Sequence, residues 1–262
     1  MIERELKFLA TPEKGEVPAL LIRPERATHL LVLGHGASTN MRHVTLKSIA
    51  EALADTGIAT LRYNFPYSES GTGRDSGAVC TETVRAAVAA AHAAAPALPL
   101  LAGGHSFGGR MTSTAASESP LDGVHGLVFF SFPLHQPGKP ETKRADHLAK
   151  VQVPMLFLSG TRDELAELGL LGLVCEKLGG RATLHSIDTA DHGYKVLKRS
   201  RTCKEDVFAE MARVVREWAS GLKQWPHRSV RPPKHIPRQQ PAPPARSSRS
   251  PRSATTQAAP FH

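Results

Sequence analysis

The sequence predicts an α/β fold, a mostly parallel central sheet covered by helices on both faces. Short apolar runs alternate along the chain with stretches of helical periodicity, the pattern of repeated strand–helix–strand units. Several runs are apolar on both faces, as strands buried between two helical layers must be. A serine bracketed by glycines, Gly104-His105-Ser106-Phe107-Gly108, stands between one such run and the helix expected after it.

Two extended segments come first, around 6–9 and 17–22. Pro12, Gly15 and Pro18 suggest a hairpin-like connection between them, placing the pair antiparallel at one edge. The run 29–33 (His-Leu-Leu-Val-Leu) reads as a buried strand ending at Gly34-His35-Gly36-Ala37-Ser38. A helix over 43–55 follows, because Leu46, Ile49, Ala50 and Leu53 fall on one stripe and Gly57 stops it. Strand 58–63, a loop over 64–76 with Pro66, Gly71 and Gly73, and an alanine-rich helix over 78–95 come next. The strand at 98–102 leads to the bracketed serine and its helix. Strands at 124–132, 154–159 and 182–187 complete the sheet, with a helix over 164–178 between the last two. The closing helix spans 205–222, with Val207, Phe208, Met211, Val214, Val215 and Trp218 facing inward. Only about 20 residues separate strand 124–132 from strand 154–159, too few for a large cap domain.

The character changes at Trp225. Nine of the 20 prolines and seven basic residues (Arg228, Arg231, Lys234, Arg238, Arg246, Arg249 and Arg252) lie in 226–262, with no acidic residue. Removing those seven from the formal charge of +9 leaves +2 for the preceding residues, so the body is near neutral and its charge gives no argument for nucleic acid. The expected organisation is one domain over 1–224 and a disordered basic Pro/Arg/Ser-rich tail over 225–262. A nucleic acid or other polyanion is a conceivable partner only through that tail, and a non-catalytic binding or scaffold protein using it is the alternative to an enzyme. Cys80, Cys175 and Cys203 are odd in number and have no metal spacing, which fits reduced thiols and a cytoplasmic setting. The N-terminus lacks the apolar core of a secretory signal, and no apolar run reaches membrane-spanning length.

The pattern at 104–108 is that of a nucleophile elbow, a strand-to-helix turn tight enough to require small residues two positions either side of the serine. A serine hydroxyl needs a base to take its proton, and an imidazole suits neutral pH. The imidazole in turn needs a carboxylate on its other nitrogen. In elbow hydrolases the chain order is serine, acid, histidine. Asp163 follows strand 154–159 and His192 follows strand 182–187, so Ser106, Asp163 and His192 are the expected catalytic residues. Glu164 is expected to open the next helix as a first-turn acid, Asp191 to be a bystander and His185 a sheet residue. The oxyanion donors are expected from the backbone of Phe107 and of Ala37, with Gly36 as the alternate. His35 is expected to support its turn and His105 to pack beneath the elbow. No metal or organic cofactor is expected, since this chemistry needs none. The expected partner is a small-molecule acyl substrate, and the oligomeric state is left open.

With these residues in place the chain resembles the alpha/beta-hydrolase superfamily over roughly 15–222. The motifs at 33–37, 62–67 (Arg-Tyr-Asn-Phe-Pro-Tyr), 103–111 and 132–140 occur in order. Together they resemble a small cap-less subgroup near dienelactone hydrolases. It includes the hydrolase-like domains of a testis-expressed protein and of a subunit of a nonspecific-lethal histone acetyltransferase complex. The resemblance implies an alpha/beta-hydrolase fold with minimal or no cap. Dienelactone hydrolases use a cysteine nucleophile, whereas this chain has Ser106 in the elbow. An ester, thioester or small amide cleaved through an acyl-enzyme on Ser106 is the expected reaction.

Overall fold

The chain begins with a hairpin of β1 (Ile2–Thr11) and β2 (Gly15–Arg23), paired antiparallel from Ile2 opposite Arg23 to Thr11 opposite Gly15. Both strands outrun the segments expected from sequence, because β1 is largely exposed and carries little apolar signal. The computed structural model describes residues 1–71 and 73–222, so the expected tail lies outside the described residues.

Six further strands complete one sheet: β3 (His29–Gly34), β4 (Ile58–Tyr63), β5 (Leu100–His105), β6 (Val124–Phe130), β7 (Met155–Gly160) and β8 (Ala182–Ile187). The spatial order is β1-β2-β4-β3-β5-β6-β7-β8, and every pair from β4 to β8 is parallel. After β3 the chain first adds β4 on one side and then β5 on the other. The carboxyl ends of β3 and β5 therefore flank a topological switch point, where open α/β sheets bind ligands.

Among the described residues, five helices of 11 residues or more cover the sheet. One layer holds α1 (Val44–Asp55) and α6 (Val207–Gly221), which bury Leu46, Ile49, Leu53, Met211 and Val215 against Leu31, Leu33 and Phe130. The opposite layer holds α3 (Gly77–Ala94), α4 (Phe107–Glu118) and α5 (Leu168–Leu178), packed over Val32, Ala102, Phe129 and Phe157. A full-length apolar strand such as β3, with all six residues buried, is what two covering layers demand. On α6, Phe208, Val214 and Trp218 pack on the core only partly buried, flanking the stripe of Val207, Met211 and Val215.

Some boundaries depart from the sequence expectation. A short helix, α2 (Pro66–Ser70), lies inside the loop expected over 64–76. Five residues are too few to show periodicity, but Pro66 supplies a ready-made first helical position. Strand β5 runs on through Gly103 and Gly104, which propensity disfavours. The packing requires them: a Cβ on Gly103 would stand 1.8 Å from the Val128 carbonyl oxygen. The helix expected to start at Glu164 starts instead at Leu168, with Glu167 as its cap. Glu164 is an exposed loop residue and not a first-turn acid. The reason is long-range hydrogen bonding: the Glu167 amide donates to His135 Nε2 at 2.9 Å and the Leu165 carbonyl accepts from the His135 amide at 2.9 Å. Between β6 and β7 the chain forms only a 3₁₀ helix, Lys143–Lys150, so no cap covers the switch point there.

Candidate active site

Ser106 occupies the turn between β5 and α4 in a left-handed conformation, φ 52° and ψ −115°. Such a backbone in a non-glycine residue costs about 1–3 kcal/mol and persists only where the surroundings impose it. Here the Ser106 amide donates to the Phe130 carbonyl on β6 at 2.9 Å, and the Arg110 amide donates back to the Ser106 carbonyl at 3.1 Å. The flanking glycines are steric necessities. A Cβ on Gly108 would lie 2.3 Å from the Gly34 carbonyl carbon and oxygen, and one on Gly104 would lie 2.6 Å from the same oxygen. The elbow is therefore clamped against the end of β3.

His192 Nε2 lies 2.8 Å from Ser106 Oγ, and its Nδ1 lies 2.9 Å from both carboxylate oxygens of Asp163. Because the carboxylate is acceptor-only, Nδ1–H donates to Asp163 and Nε2 accepts from the serine hydroxyl. The Asp163 side chain is fully enclosed, while the imidazole is 24% exposed. Oδ1 of Asp163 also accepts from the Leu165 amide at 2.9 Å, which fixes the carboxylate from its own loop. Ser106, Asp163 and His192, 86 positions apart at the extremes, thus form one hydrogen-bonded chain at the carboxyl edge of the sheet.

The loop after β3 reaches the same place. A Cβ on Gly36 would be 4.0 Å from Ser106 Cβ. Among the described residues, the Phe107 and Ala37 amides find no protein acceptor. Phe107 N–H is one of the orphan donors of the first turn of α4.

Two buried histidines build the floor. His35 accepts from the Phe65 amide through Nε2 at 3.1 Å, so its Nδ1–H donates to the Gly36 carbonyl at 2.7 Å. It joins the turn after β3 to the segment after β4, the supporting role expected of it. His105 does more than pack: its Nε2 donates to the His192 carbonyl at 2.9 Å, tying the elbow strand to the loop that carries the imidazole. Burial holds both rings neutral, with pKa values lowered to about 4. The unfolded chain binds protons at these sites from about 6.5 downward, and the folded chain does so only near 4. Stability is thus complete above about pH 6.5 and falls as pH drops toward 4, by up to about 1.4 kcal/mol per pH unit for each ring. Unfolding free energies from urea titrations between about pH 7 and pH 4.5 are expected to trace that fall; a flat profile contradicts it.

Some contributors were not read from sequence. Tyr194, at φ 65°, sends its buried hydroxyl to the Leu158 carbonyl at 2.9 Å and so pins the His192 loop beneath β7. No sequence signal marks a tyrosine in a left-handed loop position. Asp191 is a bystander to the imidazole, as expected, but shapes its loop by accepting from the Gly193 and Lys195 amides, each at 2.9 Å. Arg201, buried and paired with Glu210, donates to the Asp188 carbonyl at 3.1 Å and secures the far end of the same loop. His185 on β8 bonds the other oxygen of Glu210 at 2.8 Å, consistent with a sheet residue. A cleft of about 420 Å³ opens beside Asp163, lined by His135, Pro140, Arg162 and Glu167 among others; Ser106 is not among its lining residues. Among the described residues no helix is long and apolar enough to cross a membrane.

Solved structures of the same shape are numerous. A dienelactone hydrolase from Anabaena variabilis superposes with a TM-score of 0.64 at 18% identity, covering 84% of this chain and 98% of that one. A serine hydrolase without lid from Xanthomonas campestris gives 0.63 at 21% identity, covering 82% and 94%. An esterase domain from a Rhodothermus marinus protein gives 0.62 at 19% identity, covering 84% and 98%. At such identities the likeness establishes the fold. The family model for an alpha/beta hydrolase domain matches residues 27–220, a span that runs from β3 through nearly all of α6. On that match, this chain belongs to the alpha/beta hydrolase domain family.

Proposed function

We propose that the protein is a serine hydrolase that cleaves a small ester, thioester or amide through an acyl-enzyme on Ser106. The observation that carries this reading is the unbroken hydrogen-bonded chain from Ser106 Oγ through the His192 ring to the enclosed Asp163 carboxylate. A bystander serine has no need of a strained backbone, a base at 2.8 Å and a carboxylate behind it.

In the proposed reaction Ser106 Oγ attacks the substrate carbonyl carbon as its proton passes to His192 Nε2. The imidazolium is stabilised by Asp163 through Nδ1–H. The carbonyl oxygen becomes an oxyanion, and the Phe107 and Ala37 amides, with Gly36 as the alternate to Ala37, are the donors assigned to it. Collapse of the tetrahedral species breaks the bond to the leaving group, which takes the proton from Nε2. Water then attacks the acyl-enzyme, gives a proton to Nε2, and the second collapse frees the acid and restores the serine hydroxyl. The proposed chemistry lies within the proposed 1–224 domain. The three free thiols, two of them buried, support a reducing, cytoplasmic setting.

A fluorophosphonate probe tests this reading. Wild type is expected to be labelled and Ser106→Ala not. Folded wild type that resists the probe would contradict it.

A further inference from the structure

Three donors converge on one carbonyl in the loop after β3. The Gly36 oxygen accepts from His35 Nδ1–H at 2.7 Å, from the Thr39 amide at 3.2 Å and from the Thr39 hydroxyl at 3.1 Å. A buried carbonyl oxygen is satisfied by one partner and has lone pairs for two. The amide of Thr39 closes a β-turn with Ala37 and Ser38 at its centre, and it needs no side chain to do so. The Thr39 hydroxyl therefore adds a bond that neither the turn nor the burial of the oxygen requires.

What that bond controls follows from the peptide plane. The Gly36 carbonyl and the Ala37 N–H belong to one rigid trans unit, in which they point in opposite directions. Fixing the oxygen fixes the direction of the N–H across from it. That N–H has no protein acceptor among the described residues and is the donor assigned to the oxyanion. The elbow is close by: a Cβ on Gly36 would stand 3.3 Å from Thr39 Oγ1, 3.4 Å from His105 Nδ1 and 4.0 Å from Ser106 Cβ. The Thr39 hydroxyl proton is committed to the Gly36 oxygen, so the side chain acts through this peptide and not on a substrate.

The loop is also held just beyond Thr39. The Met41 amide donates to Asn64 Oδ1 at 2.7 Å, and the Met41 carbonyl accepts from Arg62 Nη1 at 3.1 Å. Both side chains come from the carboxyl end of β4 and the residue after it. Arg62 is 2% exposed, and its Nε has no partner among the described residues. Burying a guanidinium with an unmet donor is costly, so the grip on Met41 is kept against that cost. Thr39 is thus held from behind while its hydroxyl holds the Gly36–Ala37 peptide.

We propose that Thr39 is a positioning residue for the hydrolytic reaction: its hydroxyl, through the Gly36 carbonyl, aims the Ala37 N–H at the oxyanion. Such a donor is worth most when its direction is set before charge develops, because no reorganisation is then needed at the moment of reaction. The inference rests on the hydrolase reading and on Ala37 as the donor from this loop.

The test compares a p-nitrophenyl ester with its thionoester, the same compound with sulfur in place of the carbonyl oxygen. The N–H donors bond an oxyanion strongly and sulfur weakly, so the ester-to-thionoester ratio of kcat/KM reads those donors. Any general loss of activity or of folded enzyme cancels in that ratio. Thr39→Val keeps the shape of the side chain and removes the hydroxyl. It is expected to lower kcat and kcat/KM on the ester alike, by about three- to tenfold, the scale of one neutral hydrogen bond. The ratio is expected to shrink by the same factor. Thr39→Ser keeps the hydroxyl and is expected to hold the ratio near the wild-type value. A ratio that Thr39→Val leaves unchanged, or one that Thr39→Ser lowers as far as Thr39→Val does, overturns the proposal while the hydrolase reading stands. Wild type no faster than Ser106→Ala on either compound overturns that reading, and this assignment with it.

Discussion

Replacing Asp163 by asparagine is expected to lower kcat on an activated ester by about 10³–10⁴-fold while leaving the fold intact, the scale seen when the same swap is made in serine proteases. The side chain keeps its volume, so the enclosed site stays filled. What changes is the donor–acceptor pattern. Asp163 now accepts from His192 Nδ1–H and from the Leu165 amide. An asparagine has one oxygen for two donors, and its amide group favours the imidazole tautomer with the proton on Nε2. That tautomer points a proton at Ser106 Oγ and cannot accept one. Steady-state kinetics with circular dichroism checks this, and a variant within about threefold of wild type would remove Asp163 from the proposed relay.

The second large effect is structural. Gly108→Ala is expected to destabilise the protein by about 4 kcal/mol or more, enough to deplete the folded state at physiological temperature. The added methyl would sit 2.3 Å from the Gly34 carbonyl carbon and oxygen and 2.8 Å from its Cα. All three atoms are backbone, held in β3 between β4 and β5, so no side chain can swing away. Gly172→Ala in α5 is the matched control, since nothing lies within 4 Å of its Cβ position. Relief of the helix-interior glycine is expected to stabilise that variant by about 0.5–1 kcal/mol. Thermal denaturation of the two variants side by side reads both; equal melting temperatures would mean that the elbow does not need glycine at 108.

The order of strands and helices was legible because the apolar runs are nearly pure: every residue of β3, β4, β5 and β7 is buried. The residues that converge were legible from chemistry and chain order. Asp163 and His192 follow the last two strands, and parallel strands deliver their following loops to one edge. What stayed hidden is set by long-range contacts. The segment from 164 to 167 carries helix-forming residues, but His135, some 30 positions earlier, takes up its backbone groups and holds it open. Gly103 and Gly104 look like a strand end until β6 and the elbow are seen pressed against them. Tyr194 and His105 fix the His192 loop through backbone carbonyls, and side-chain chemistry in a sequence does not announce a carbonyl partner.

The central claim is that the Ser106 hydroxyl is a nucleophile activated by His192. Peptide mapping of the protein after fluorophosphonate treatment measures this most directly. The account expects one phosphonyl adduct, on the peptide containing Ser106, formed by the native and not by the urea-unfolded chain. An adduct on another residue, or folded protein that stays unmodified, would contradict it.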